Sequence, residues 1–223
     1  GLGQDHLAIN LFSTMLEVPI LPDAITFSTI LQACVNVQDV QRGRSIHTEI
    51  LSRGVCVDVV ADAIFIGFYS ELGTLEEACW VFHNMPYHDM VSWGAMISGY
   101  VQHGQSAYAL HLFMRMQDED IKTDVVMLAS LLKACGTIKA IQEGRLIHDQ
   151  VLRSNLQLDI IIANSLITMY AKCGIVTEAQ IVFTSMPDHN LISWGSILAT
   201  LIEEGDAVYA LFLIDKMQVE GII

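Results

Sequence analysis

Gln41-Arg42-Gly43-Arg44-Ser45-Ile46-His47 returns 101 residues later as Gln142-Glu143-Gly144-Arg145-Leu146-Ile147-His148. The same displacement carries Thr29-Ile30-Leu31-Gln32-Ala33-Cys34 onto Ser130-Leu131-Leu132-Lys133-Ala134-Cys135 and Val81-Phe82-His83-Asn84-Met85-Pro86 onto Val182-Phe183-Thr184-Ser185-Met186-Pro187. It also carries Ser92-Trp93-Gly94 onto Ser193-Trp194-Gly195. A fixed period of this kind marks a stacked-repeat architecture, in which each unit touches only its neighbours. The functional question therefore moves from one pocket to a column of equivalent positions.

A finer division lies inside the period. Asp23, Asp58, Asp89, Asp124, Asp159 and Asn190 are spaced 35, 31, 35, 35 and 31 residues apart. They predict units at 24–58, 59–89, 90–124, 125–159, 160–190 and 191–223. The first segment, 1–23, reads as the second half of a repeat, because Gly3-Gln4 aligns with Gly104-Gln105 and Ala8, Phe12 and Met15 align with Ala109, Phe113 and Met116. Neither end carries the polar capping unit that solenoids need, so a piece of a longer array is expected.

Each unit reads as two helices. In 59–89, Ile64, Phe65, Phe68, Tyr69 and Leu72 form an apolar stripe at helical spacing. Gly73 stops that helix, and Thr74-Leu75-Glu76-Glu77 has the spacing of a capping box for the next one. Gly104, Gly174 and Gly205 punctuate other units in the same way. Ala78, Ala109, Ala179 and Ala210 recur at one site of the second helix, where a small side chain permits close packing. No segment alternates with period two over a useful length, so no strand is predicted and the fold class is all-α.

The chain is 52% hydrophobic and 16% charged, which excludes a disordered tail, and its net charge is −14. Acidity of this size opposes non-specific attraction to nucleic acid or anionic membrane. Five cysteines without a C-x-x-C pair predict small buried hydrophobes, with neither a disulfide framework nor a zinc site. Met90 to Met114 lacks Asp, Glu, Lys and Arg, but Gly94, Gly99, Gln102, His103, Gly104 and Gln105 interrupt it. It matches a two-helix unit, so a membrane span is not predicted.

The residues of these units resemble the pentatricopeptide repeat family, in its plant-type subclass of alternating long, short and standard units. Leu132-Lys133-Ala134-Cys135 with Glu143-Gly144-Arg145-Leu146-Ile147-His148 resembles the long unit. The run from Ala163 to Gly174, with Val182-Phe183 and Met186-Pro187, resembles the short unit. The run from Val91 to Tyr100 resembles the standard unit. A tetratricopeptide array would keep a steady period of about 34 residues, which the alternation does not fit.

The resemblance implies a right-handed α-solenoid of stacked helix-turn-helix repeats that binds single-stranded RNA in a mitochondrion or chloroplast, one base per unit. Carried onto this chain, the aliphatic positions that pack on base faces are Ile25, Val60, Val91, Val126, Ile161 and Ile192. The base-edge positions are Ser28, Ala63, Gly94, Ala129, Asn164 and Gly195. Their unit-ending partners are Asp58, Asp89, Asp124, Asp159 and Asn190. Only Ser28 and Asn164 offer a polar side chain at the first of these columns. Asn164 with Asn190 implies a pyrimidine, and Ser28 with Asp58 a guanine. Two alternatives stay open at this level. The Val/Ile column also suits β-branched core residues, and the acidic column also suits helix N-caps.

Catalytic constellations are sparse. His47-Thr48-Glu49 satisfies the H-x-E of zinc deaminases, but no proline is followed by Cys and the repeat equivalent is His148-Asp149-Gln150. His88 and His189 recur singly after Met-Pro, and Asp118-Glu119-Asp120 reads as a solvated acidic turn. Trp80, Trp93 and Trp194 could stack on bases, yet Trp93 and Trp194 sit among apolar neighbours and are predicted to be core. No phosphate loop, serine elbow or dinucleotide fingerprint occurs. No metal, cofactor, membrane or small-molecule substrate is expected. The reading is an RNA-recognition segment of an organellar RNA-processing factor in C-to-U editing, without catalysis and with weak RNA affinity of its own. Editing accessory proteins are further candidate partners. The alternative is an acidic protein-binding scaffold.

Overall fold

The computed structural model describes residues 2–16, 22–52, 59–156 and 159–219. Over these residues the chain is helical, with no strand. The helices are α1 (Leu2–Leu16), α2 (Ala24–Asn36), α3 (Val40–Ser52), α4 (Val59–Glu71), α5 (Leu75–Asn84), α6 (Met90–Gln102) and α7 (Ser106–Asp118). They continue with α8 (Val125–Ile138), α9 (Ile141–Arg153), α10 (Ile160–Lys172), α11 (Val176–Ser185), α12 (Leu191–Glu203) and α13 (Ala207–Val219). This is an all-α helical-repeat solenoid fold, built of two compact units. One comprises residues 1–103 with 115–121, and the other 104–114 with 122–223. In the first, α2 packs on α4 and α4 on α6; in the second, α8 packs on α10 and α10 on α12. The odd-numbered helices α3, α5, α9, α11 and α13 lie against these stacks.

Side-chain caps start the stacked helices. Asp23 Oδ1 accepts from Thr26 N at 2.8 Å, Asp124 Oδ1 from Met127 N at 2.7 Å, and Asp159 Oδ1 from Ile161 N at 2.9 Å. Asp89 with Ser92 and Asn190 with Ser193 form reciprocal capping boxes. Each cap satisfies an amide that the helix cannot and contributes about 1 kcal/mol. The capping box predicted at Thr74 does not form. Thr74 Oγ1 instead donates to Tyr69 O at 3.1 Å, a carbonyl at the end of α4 without an intrahelical partner, and Glu77 is drawn to Arg44. Gly73, Gly104, Gly174 and Gly205 all turn the chain with φ between +73° and +80°. The corresponding turns of 24–58 and 125–159 place Gln38 and Lys139 at φ 58° and 56°.

Two sets of repeated contacts hold neighbouring helices together. Phe82 meets Trp93 edge to face with centroids 4.8 Å apart, and His88 stacks on Phe82 at 4.1 Å. Phe183, Trp194 and His189 repeat the arrangement at 4.9 and 4.3 Å. Both tryptophans are fully buried, as their apolar surroundings predicted. The second set explains Gly-Arg-x-x-His. A Cβ on Gly43 would come within 2.0 Å of the Phe68 ring, Arg44 pairs with Glu77, and His47 Nδ1 lies 3.0 Å from Tyr69 Oη. Gly144 lies likewise against Met169, Arg145 pairs with Glu178 at 3.1 Å, and His148 Nδ1 lies 2.8 Å from Tyr170 Oη. Ala78, Ala109, Ala179 and Ala210 are all buried.

Candidate nucleic-acid interface

Ile25, Val60, Val91, Val126, Ile161 and Ile192 are each the second residue of a stacked helix, and all six stand 53% to 76% exposed. They are not core residues. The periodic pattern left this open because a β-branched residue at a helix start satisfies a core and a surface equally. The core is supplied instead by their neighbours, such as Phe27, Ala61, Trp93, Met127, Ile162 and Trp194.

The base-edge column is less uniform. Ser28 and Gly195 are exposed, Gly94, Ala129 and Asn164 are half-buried, and Ala63 is buried. Asp58 lies outside the described residues. Asp89, Asp124, Asp159 and Asn190 all serve as helix N-caps through Oδ1.

In the second unit these columns meet. A groove of about 500 Å³ is bordered by Val126, Ile161 and Ile192 from the aliphatic column and by Ala129, Asn164 and Asn190 from the base-edge columns. Asn164 Nδ2 donates to Asn190 Oδ1 at 3.4 Å. That oxygen also accepts from Ser193 N and Oγ, both at 2.9 Å. It is therefore saturated, while the Asn190 amide NH₂ can still donate. Asn164 Oδ1 is buried without a hydrogen-bond partner. Ser130, Ser165 and Thr168 complete the wall with Lys133. The three hydroxyls donate to Val126 O, Ile161 O and Asn164 O at 2.9, 2.7 and 2.8 Å. The sequence reading missed these four residues, although each lies four residues beyond a predicted position, one helical turn along the same face.

A smaller groove of about 170 Å³ in the first unit is bordered by Ser28, Gln32, Ile64, Gly67 and Glu71, with Leu31, Val35 and Phe68 beneath. Other candidates resolve structurally. His47 is held between Tyr69 and the Phe65 ring, with centroids 4.2 Å apart, and burial lowers its pKa. His88 and His189 bond through Nε2 to Phe82 O and Phe183 O, both at 2.9 Å. Burial raises the Cys34 thiol to about 11 and the Cys135 thiol to about 12. Trp80 is exposed on α5. Among the described residues no group of three or more His, Cys, Asp or Glu could hold a metal ion, and no helix is long and apolar enough to cross a membrane.

Against known proteins, the family model described as PPR repeat matches residues 91–121 and 161–191. The Arabidopsis thaliana pentatricopeptide repeat-containing protein At1g03540 is 31% identical over 203 residues, 91% of this chain and 33% of its own length. Pentatricopeptide repeat-containing protein CRR2, chloroplastic, also from Arabidopsis thaliana, is 30% identical over 225 residues, 98% of this chain and 34% of its length. The chain thus spans about a third of these relatives. The crystal structure of the pentatricopeptide repeat protein PPR10 from maize superposes with a TM-score of 0.73 at 20% identity, over 99% of this chain and 33% of that one. PPR10 in complex with an 18-nt psaJ RNA element superposes with a TM-score of 0.81 at 18% identity, over 99% of this chain and 33% of that one.

Proposed function

We propose that this chain, which belongs to the pentatricopeptide repeat family, is a single-stranded RNA recognition segment of an organellar RNA-processing factor, acting in C-to-U editing and contributing no chemistry. The observation that carries this reading is the groove where Val126, Ile161 and Ile192 surround the Asn164–Asn190 pair. Six exposed β-branched residues at the same position of successive repeats gain nothing from water, and planar base faces would cover them. Burying such area stabilises by about 25 cal/mol per Å². On this reading the long units 24–58 and 125–159, the short units 59–89 and 160–190, the standard unit 90–124 and the nearly complete standard unit 191–223 each take one base. The acidic column need not choose between capping and reading, because each cap uses Oδ1 and leaves the second oxygen for a base edge. At the Asn164–Asn190 step the family resemblance implies a pyrimidine, and the amide donor of Asn190 favours cytosine above uracil, because cytosine N3 accepts where uracil N3 carries a hydrogen.

The net charge of −14 is unevenly spread: Asp124 and Asp159 cap the helices that wall this groove, but the helices themselves are not acidic. Neither α8 nor α10 contains an acidic residue, while each carries one lysine. PPR10 is a protein of the same fold solved with bound RNA, and the names of two Arabidopsis relatives carry the word chloroplastic, which supports an organellar site of action. A second reading, a protein-binding scaffold that engages editing accessory proteins, is favoured by Trp80 and Tyr87, which stand 54% and 64% exposed in the first unit.

Selection from a random single-stranded RNA pool at two salt concentrations tests the proposal. Enrichment of a short pyrimidine-containing motif is expected. Absence of any enrichment, with no mobility shift at low salt, overturns it in favour of the scaffold.

A further inference from the structure

The junction between 24–58 and 59–89 recurs, 101 residues on, between 125–159 and 160–190, and each copy carries a groove. Ser28, Gln32, Ile64 and Gly67 of the first groove correspond to Ala129, Lys133, Ser165 and Thr168 of the second. Their charges differ. Glu71 borders the first, at the position that Lys172 takes in the second unit, and Gln32 stands where the second has Lys133. The two positions sum to −1 in the first unit and +2 in the second.

Packing brings the two lysines of the second unit to one face of α8. A Cβ on Gly136 would lie 3.2 Å from Lys172 Cδ, so the Lys172 stem crosses α8 at Gly136, one helical turn beyond Lys133. Val35 occupies the corresponding place in the first unit, where a side chain fills the space that the lysine stem uses. Lys133 is exposed and has no ion-pair partner among the described residues.

From this we infer that the two grooves are unequal binding sites. Lys133, with Lys172 one turn on, holds an RNA phosphodiester at the second groove, and Glu71 repels the backbone from the first. The inference rests on the RNA-binding reading and adds which junction carries the strand and which side chains decide it. The effect is local because exposed charges farther apart than about 10 Å are largely screened at 0.1 M salt. Asp124 and Asp159 cap the starts of α8 and α10, nine and thirteen residues before Lys133 and Lys172, about 13 and 20 Å of helix, so the positive charge is confined to the lysine end of the groove.

The test measures affinity of the 223-residue chain for single-stranded oligocytidylate across a salt series, alongside Lys133→Gln and Glu71→Lys. Both positions are exposed, and circular dichroism checks that the variants stay folded. On single strands each phosphate neutralised adds about 0.7 to the slope of log affinity against log salt. The expected result is a loss of about 0.7 in slope for Lys133→Gln and a gain of about 0.7 for Glu71→Lys. Binding by the parent chain with unchanged slopes in both variants overturns this inference and leaves RNA recognition standing. A fall for Lys133→Gln without a rise for Glu71→Lys overturns the exclusion by Glu71. No binding by the parent chain, even at low salt, overturns both.

Discussion

Asn164 Nδ2 donates to Asn190 Oδ1 across 3.4 Å, and the same oxygen caps α12 by accepting from Ser193 N. One side chain thus starts a helix and aims its neighbour into the groove. Recognition and stability are joined at Asn190, and they separate only under substitutions that keep one and change the other.

Asn190→Asp keeps an acceptor for Ser193 and for Asn164 but replaces the free NH₂ by a second acceptor. The expected result is a nearly unchanged melting temperature and a shift at one nucleotide from cytosine towards uracil. Asn190→Ala should lose about 1 kcal/mol of stability with the cap, together with the preference. Parallel thermal melts and RNA selection on both variants check this. A retained cytosine preference in Asn190→Asp would mean that the side chain only caps.

Asn164→Ser shortens the partner amide while keeping a polar group in the groove. Preference should change at the nucleotide facing this step and nowhere else in the selected motif. A uniform loss of affinity across all RNA sequences would instead identify Asn164 as a packing residue.

Gly43 and Gly144 are repeat equivalents with unequal neighbours. A Cβ on Gly43 meets the Phe68 ring at 2.0 Å, whereas on Gly144 it meets the end of Met169 at 2.7 Å. The ring is rigid and the thioether can move aside. Urea denaturation should show Gly43→Ala destabilised by about 1–3 kcal/mol through overpacking. Gly144→Ala should be close to neutral, because alanine recovers about 1 kcal/mol of helix propensity. Equal losses at both sites would contradict the close approach to Phe68.

Burial lowers the pKa of His47 and of His148, where nearby Asp149 only partly opposes it. The unfolded chain then binds protons before the folded one does. Stability is full above the unfolded histidine value of about 6.5 and falls as the pH drops below it. Melting temperatures should decrease from pH 7.5 to pH 5, and a double His47→Asn/His148→Asn variant should flatten that decline. If the double variant keeps the whole decline, carboxylates cause it.

Much of the architecture was legible in the chain because it is written in local contacts. Repeated Val-Phe, Met-Pro, His and Trp recur at one spacing, and the same Phe–His–Trp cluster forms twice. Asp and Asn before apolar runs suited caps as one of two open readings, since a cap needs only the next three residues. Thr74 shows where local reading ends. Its spacing to Glu77 is that of a capping box, yet a carbonyl of α4 and the guanidinium of Arg44 take those groups from outside the helix.

By itself the sequence determined the period, which its repeated residues spell out, and the helices, which depend on residues within a turn or two of one another; it left the acidic column open between capping and base reading. Only the tertiary structure decided that Ile25, Val60, Val91, Val126, Ile161 and Ile192 face solvent, and that Lys133 shares a groove with Asn164 and Asn190. Burial and convergence depend on how one helix is rotated against the next. That rotation is set by packed side chains distant in sequence, such as Gly43 on Phe68 and Lys172 over Gly136.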